Sequence, residues 1–217
     1  MIEKLLNKKK LSIEESYQLC EQIGKEISIE IISKRQVDLP RPFSLEKPVE
    51  DKLIFFPGSF NPWHDGHTQC LKACPTGPIA VIPDRNPWKN VIENNPWQEV
   101  CEIEKQVDQC QRNDIFIYPG FLALKEKNPT SRWLPQVNVK NKWLLMGDDL
   151  FLGLHRWYEM EKVIKSLTGI YVCPRGATRS ELEIQMNSLK KIKKIEVLFL
   201  PHHEHEELSS TQIRNKN

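Results

Sequence analysis

The sequence predicts an α/β protein, doubly wound around a mostly parallel sheet, with a helical extension at its N-terminus. Three observations predict it. Short apolar runs at 53–56, 79–82, 115–118, 142–146, 169–173 and 195–200 read as strands buried on both faces. Segments of helical periodicity separate them, and alternation of the two types implies parallel strands joined by crossover helices. The first run leads through Pro57-Gly-Ser-Phe-Asn-Pro62 into His64-Asp-Gly-His67, which is a strand, a sharp turn and a helix start in succession.

Taken in order, Lys8-Lys-Lys10 is a solvated basic stretch, and Ser12-Ile-Glu-Glu15 is a capping box. A helix is expected from about Ile13 to Ile32, with Ile13, Tyr17, Cys20, Ile27 and Ile31 on one face, packed on the main domain or on a partner. Prolines between Leu39 and Pro48 make an extended linker, because proline and the residue before it resist helix. Residues 1–50 are therefore read as an N-terminal helix and Pro-rich linker, and 51–217 as the unit that carries the chemistry. In that unit a helix begins near Gly66 and runs to Ala73. A second spans Trp97–Gln111, with Val100, Ile103, Val107 and Cys110 on one face. Residues 119–140 are a long loop with a short helical piece. Helical segments follow over Leu150–Leu154 and Glu159–Ser166. Ser180-Glu-Leu-Glu183 is a second capping box, opening a helix with Leu182, Met186, Leu189 and Ile192 inward, and a final helix begins at Ser209.

A chain of 217 residues suits one domain with an appendage and a sizeable core. The net charge of +2 is too small to argue for a nucleic-acid or membrane partner. No apolar run is long enough to span a bilayer, and the charged N-terminus has no apolar stretch after it, so a cytoplasmic protein is expected. None of the six cysteines forms a C-x-x-C pair; reduced structural thiols are expected, with Cys70 and Cys74 buried one helical turn apart. Pro201-His-His-Glu-His-Glu-Glu207 carries metal-ligating types, but with no second cluster it reads as a polar loop beside the site, and no metal site is assigned.

Three stretches carry the chemistry, and each follows a strand. A helix start offers free N–H groups to an anion, Gly58, Ser59 and Gly66 let that anion approach, and His64 and His67 can donate to phosphate oxygens. Gly147-Asp148-Asp149 puts carboxylates where ribose hydroxyls could meet them. Leu208-Ser-Ser-Thr-Gln-Ile-Arg214 offers hydroxyls at a helix start and a forked cation one turn later. Such sheets bind ligands at the carboxyl ends of their strands, so the three can share one nucleoside triphosphate. Blander alternatives stand beside each. The Asp pair can be a helix cap, Trp157 a core aromatic, and Lys89 and Arg214 surface cations.

The pattern Gly58-x-Phe60-x-Pro62-x-His64-x-Gly66-His67 resembles the signature of the HxGH nucleotidyltransferases, whose fold is Rossmann-like. Gly-Ser-Phe-Asn-Pro is most similar to the nicotinate mononucleotide adenylyltransferases among them. Leu208–Arg214 resembles the family's second signature, and Leu144–Trp157 its Gly-x-Asp and His-Arg-Trp block. The resemblance covers about Leu53 to Arg214. It implies that His64 and His67 stabilise the transition state on the ATP phosphates, with Lys89 and Arg214 offsetting charge on pyrophosphate. It implies ATP contacts at Gly58, Ser59, Phe60, Gly66, Gly147, Asp149, Ser210 and Thr211. Trp157, Asn61 and Arg175 fall on the mononucleotide side, Trp157 as a stacking partner of the pyridine ring. Mg²⁺ would arrive on the triphosphate. The expected activity is adenylyl transfer from ATP to a pyridine mononucleotide, nicotinate mononucleotide first, in NAD biosynthesis. The family's Ser-Tyr-Thr-x-x-Thr segment has no clear match, Thr130-Ser-Arg-Trp133 being a poor substitute. Another phosphate-bearing acceptor, or a catalytically weak nucleotide-binding regulator, therefore stays open. A homo-oligomer is compatible with the sequence.

Overall fold

The computed structural model describes residues 2–28, 39–45, 49–84, 95–124, 126–208, 210 and 213. Two helices come first, α1 (Ile2–Leu6) and α2 (Ile13–Ile27). Then follow β1 (Lys52–Gly58), α3 (Asp65–Ala73), β2 (Ile79–Pro83), α4 (Pro96–Asp108) and β3 (Ile115–Ile117). A 3₁₀ turn at Pro119–Ala123 leads to the short α5 (Thr130–Trp133), β4 (Asn141–Gly147) and α6 (Asp148–Leu152). The chain continues through α7 (Met160–Ser166), β5 (Gly169–Cys173), α8 (Arg179–Ile192) and β6 (Glu196–Phe199).

The described strands form one sheet in the order β3-β2-β1-β4-β5-β6, and every described pairing is parallel. The order reverses between β1 and β4, the place where a doubly wound sheet opens a crevice. Register sets the depth of that crevice: Phe55 lies opposite Leu144, and Gly147 opposite Cys173. Both faces of β1 are covered, because successive strand residues point to opposite sides. Phe55 packs edge-on against Trp133, while Phe56 packs with Phe60 and Trp63. Leu53, Ile54 and Phe55 are fully buried, as a central parallel strand requires.

Several boundaries differ from the sequence expectation. Helix α2 ends at Ile27, not Ile32, because Ser28 takes a left-handed conformation (φ 48°) and closes the helix with an N–H to Gly24 O bond; residues 29–38, with Ile31, lie outside the described residues. Its capping box at Ser12 and Glu15 forms as expected. Its buried face is rotated: Ser16, Leu19, Cys20, Ile23, Gly24 and Ile27 face inward, whereas Ile13 is exposed. Ile13 opens the helix at the margin of that face, although Ser16 in the same turn is fully buried. That face packs on the main domain, with Gly24 against Gly120 of the 3₁₀ turn. Helix α4 spans Pro96–Asp108 with Asn95 as cap, rather than Trp97–Gln111, and Gln111 has φ 52°. Helix α8 starts earlier than Ser180: Thr178 is the N-cap and Glu181 completes the box. Thr178-Arg-Ser-Glu181 fits the same spacing rule as Ser180–Glu183, and the chain uses the earlier register.

The proline-rich stretch is more than a spacer. Phe43 and Val49 are buried, Phe43 meets Trp97, and Pro42 O accepts from Ile117 N–H. The segment thereby satisfies a backbone donor of the outer strand β3. No helix among the described residues is long and apolar enough to cross a membrane. All six cysteines are free thiols, Cys70 and Cys74 both buried. Burial raises Cys74 to about 12, so it is an inert core residue.

Candidate active site

Strand β1 ends at Gly58, and the next residues fold an aromatic knot above it. Phe60 has φ 42° and turns its ring inward, so that a Cβ on Gly58 would stand 2.9 Å from it. The Phe60 ring lies 5.1 Å from Phe56, 4.9 Å from Trp63 and 5.2 Å from His67. Trp63 Nε1–H donates to Thr68 Oγ1 at 2.9 Å, which ties the turn to the first turn of α3. Phe60 thus serves the site by packing, and the half-buried Ser59 and Asn61 occupy the turn itself.

The two motif histidines stack with centroids 3.7 Å apart. His64 is the N-cap of α3, in extended conformation, and its own N–H donates to His67 Nδ1 at 3.2 Å. In neutral His67 that acceptor role leaves the proton on Nε2, the atom free to donate to a ligand. His64 is 7% exposed, and among the described residues neither of its ring nitrogens has a hydrogen-bond partner. A buried polar ring with both nitrogens unsatisfied is uncommon and points to a missing ligand. Burial first, then the Arg175 guanidinium, lowers His64 from its ordinary 6.5 to about 4, with Asp65 opposing weakly. Burial, His64 and Arg175 lower His67 to about 2. Both rings are neutral at pH 7.

The other chemical stretches converge on this pair. A Cβ on Gly66 would stand 3.0 Å from the His64 ring and 3.2 Å from His205 O, so only glycine lets the 202–207 loop close over the helix start. Ser210 Oγ donates to Pro62 O at 2.9 Å, joining the second signature to the first. That bond uses the one hydroxyl proton, so Ser210 must release Pro62 before it can donate to a phosphate. Arg175, after β5, lies across Gly147: a Cβ there would meet Arg175 Cδ at 2.6 Å and Asp149 Oδ1 at 2.5 Å. Its guanidinium donates to Leu208 O and faces Asp149 at 3.6 Å. Asp149 is exposed beside it. Trp157 ends the 3₁₀ turn Gly153–Arg156 and is half-buried against the core. Lys89, Ser209, Thr211 and Arg214 lie outside the described residues.

The 202–207 loop is held by its own contacts. His202 pairs with Glu206, Glu206 accepts from His203 N–H, and His203 Nε2 lies 3.5 Å from Cys173 Sγ. Among the described residues no group of three or more His, Cys, Asp or Glu could hold a metal ion. Asp148 was read from the sequence with Asp149 as a strand-end carboxylate or a cap. It does follow β4 directly, but it is buried at 2% rather than presented to a ligand, and Gly147, not Asp148, is the N-cap of α6. The adjacent pair after a strand is the only signal that one of them turns inward.

Comparison with known proteins gives the family and the fold. The model of the cytidylyltransferase-like family matches residues 55–216. A probable nicotinate-nucleotide adenylyltransferase of Leptospira interrogans is 28% identical over 177 residues, covering 73% of this chain and 81% of that protein. Its counterpart from Campylobacter jejuni is 27% identical over 162 residues, covering 69% and 84%. The solved Plasmodium falciparum nicotinic acid mononucleotide adenylyltransferase complexed with NaAD superposes with a TM-score of 0.57 at 18% identity, over 76% of this chain and 83% of that one. That likeness establishes a shared fold. With a family match over residues 55–216 and a parallel sheet that reverses at β1 and β4, above which the His64–His67 pair stacks at a helix start, the chain belongs to the cytidylyltransferase-like family.

Proposed function

We infer that the protein is a nucleotidyltransferase that moves the adenylyl group of ATP to a pyridine mononucleotide, nicotinate mononucleotide first. The products are a dinucleotide and pyrophosphate, a step of NAD biosynthesis. The observation that carries this reading is the desolvated His64–His67 pair at a helix start, with both His64 nitrogens unsatisfied. The names of the Leptospira and Campylobacter relatives support the choice of acceptor.

An acceptor phosphate oxygen attacks the α-phosphorus of ATP, a new P–O bond forms, and the bond to the α–β bridging oxygen breaks. The nucleophile is already an anion near neutral pH, so no general base is needed. Catalysis then rests on alignment and on donors aimed at developing charge. Neutral His67 donates through Nε2, and neutral His64 donates one N–H while its other nitrogen accepts. The free N–H groups of the first turn of α3 add positive potential. Arg175, which the resemblance puts on the mononucleotide side, is held between Asp149 and Leu208 O close to the histidine pair, and we assign it to the phosphates from the β5 side instead. Lys89, Thr211 and Arg214 are assigned by their place in the signatures. Mg²⁺ would arrive with ATP and would neutralise triphosphate charge. Residues 51–217 carry the reaction, and 1–50 form an appended brace.

The test is to incubate the protein with MgATP and, separately, nicotinate mononucleotide, nicotinamide mononucleotide or phosphopantetheine, and to measure pyrophosphate. Release with nicotinate mononucleotide well above the other two is expected. ATP binding without pyrophosphate from any acceptor would overturn the enzymatic reading in favour of a nucleotide-binding regulator.

A further inference from the structure

Among the described residues no cation is in hydrogen-bond contact with the buried carboxylate of Asp148. Its Oδ2 instead accepts two backbone N–H groups from the loop between β5 and α8, Arg175 N at 2.7 Å and Ala177 N at 2.9 Å. Asp148 is the first residue of α6 and directly follows β4, so this oxygen links the carboxyl ends of two neighbouring strands. Charge-assisted bonds to backbone N–H groups are strong, and a buried carboxylate tolerates little displacement from them. The loop so fixed delivers one functional group, the Arg175 side chain. From this anchor it crosses Gly147, which lacks the Cβ that would block it, and reaches Leu208 O and Asp149.

We propose that Asp148 is a positioning residue for nucleotide transfer: by clamping the Arg175 and Ala177 amides it holds the Arg175 guanidinium against the phosphate side of the site. The proposal rests on the adenylyltransferase reading for what the guanidinium meets, but the clamp is testable without it. Asp149, the neighbouring carboxylate, faces Arg175 from the exposed side. The two aspartates therefore divide the work, Asp148 on the loop backbone and Asp149 at the guanidinium.

Both bonds fall on one oxygen, so the amide of Asp148→Asn can keep both through its carbonyl, whereas Asp148→Ala keeps neither. In Asp148→Ala, hydrogen exchange at the Arg175 and Ala177 amides should accelerate. The KM for MgATP should rise and kcat/KM for ATP fall on the order of a hundredfold. Asp148→Asn should restore amide protection and most of the activity. Because Asp148 acts through Arg175, Asp148→Ala should cost little further in an Arg175→Ala background. Unchanged amide exchange in Asp148→Ala, or a loss that adds in full to that of Arg175→Ala, would overturn the proposal. If the alanine variant does not fold, Asp148→Leu, similar in shape and without an acceptor, reads the same quantities. If the wild type transfers adenylyl to no acceptor, the proposed function falls. Amide exchange and MgATP affinity measured by calorimetry then still decide the clamp.

Discussion

His67 does two jobs with two nitrogens, and substitutions separate them. Nδ1 accepts the His64 N–H at 3.2 Å, and Nε2 is left to donate to phosphate. His67→Asn keeps an acceptor near the Nδ1 position and loses the donor at the Nε2 position, which the shorter amide does not reach. It should therefore melt close to wild type in circular dichroism while turnover drops at least a hundredfold. Turnover near wild type in that variant would remove His67 from the chemistry. The same pair sets a pH dependence. His64 is lowered to about 4 by burial and by Arg175, while in the unfolded chain it titrates near 6.5. Between these values the unfolded chain binds a proton that the folded chain does not, so stability is full above about 6.5 and declines as pH falls towards 4. His64→Gln removes that difference at one of the two rings. Urea midpoints at pH 7 and pH 4.5 should show a smaller drop for the variant than for the wild type. The histidines were legible in the sequence because their spacing and the glycine between them have few other uses. Asp148 was not: from the chain alone nothing separates the aspartate that turns inward to meet two amides from the one that faces solvent.

At the scale of elements, α3 is fixed at both ends. Its start is tied by Trp63 to Thr68, and its end by Arg112, which donates to the carbonyls of Leu71, Cys74 and Pro75 and to Asp114. Burial alone would raise Asp114, but bonds from Arg112 and from Gly77 N–H more than offset it and leave the carboxyl below its ordinary range. Arg112→Ala removes the guanidinium from three carbonyls and from the partly buried Asp114 carboxylate, which keeps only the Gly77 N–H among these donors. It should cost about 2–4 kcal/mol in urea unfolding. The cost should show in stability first, with the MgATP affinity of the folded fraction close to wild type. No sequence pattern announced this clamp, because an arginine two residues before an aspartate is common on any surface. The strands, by contrast, were readable as apolar runs, since burial on both faces leaves no polar alternation. Helix ends were the weakest part. Ser28 stops α2 through a backbone conformation that its side chain does not advertise, and α8 had two overlapping capping boxes to choose from.

At the scale of the whole molecule, the sheet places its reversal in the middle and its weak points at the sides. The outer strand β3 is shielded by Pro42, while Leu198 and Phe199 of β6 remain exposed. The N-terminal extension, which precedes the family match, is fastened by the contact of Gly24 with Gly120. A Cβ on Gly24 would stand 2.5 Å from Gly120 Cα, a backbone atom that has no rotamer to yield. Gly24→Ala should therefore destabilise the fold by about 1–3 kcal/mol through forced separation of α2 from the 3₁₀ turn. Limited proteolysis should then cleave first near residue 28, while pyrophosphate release by the folded enzyme changes little. Loss of activity in step with the cleavage would show that the extension reaches into catalysis. That glycine pair also has a consequence during synthesis. Helix α2 emerges from the ribosome early, yet its seat at Gly120 exists only after β1, α3, β2, α4 and β3 have followed it out. The amphipathic face of α2, with Leu19, Ile23 and Ile27, must wait in solvent through the making of half the sheet. In a nascent chain arrested before residue 120, this first helix should be the segment most readily captured by a chaperone.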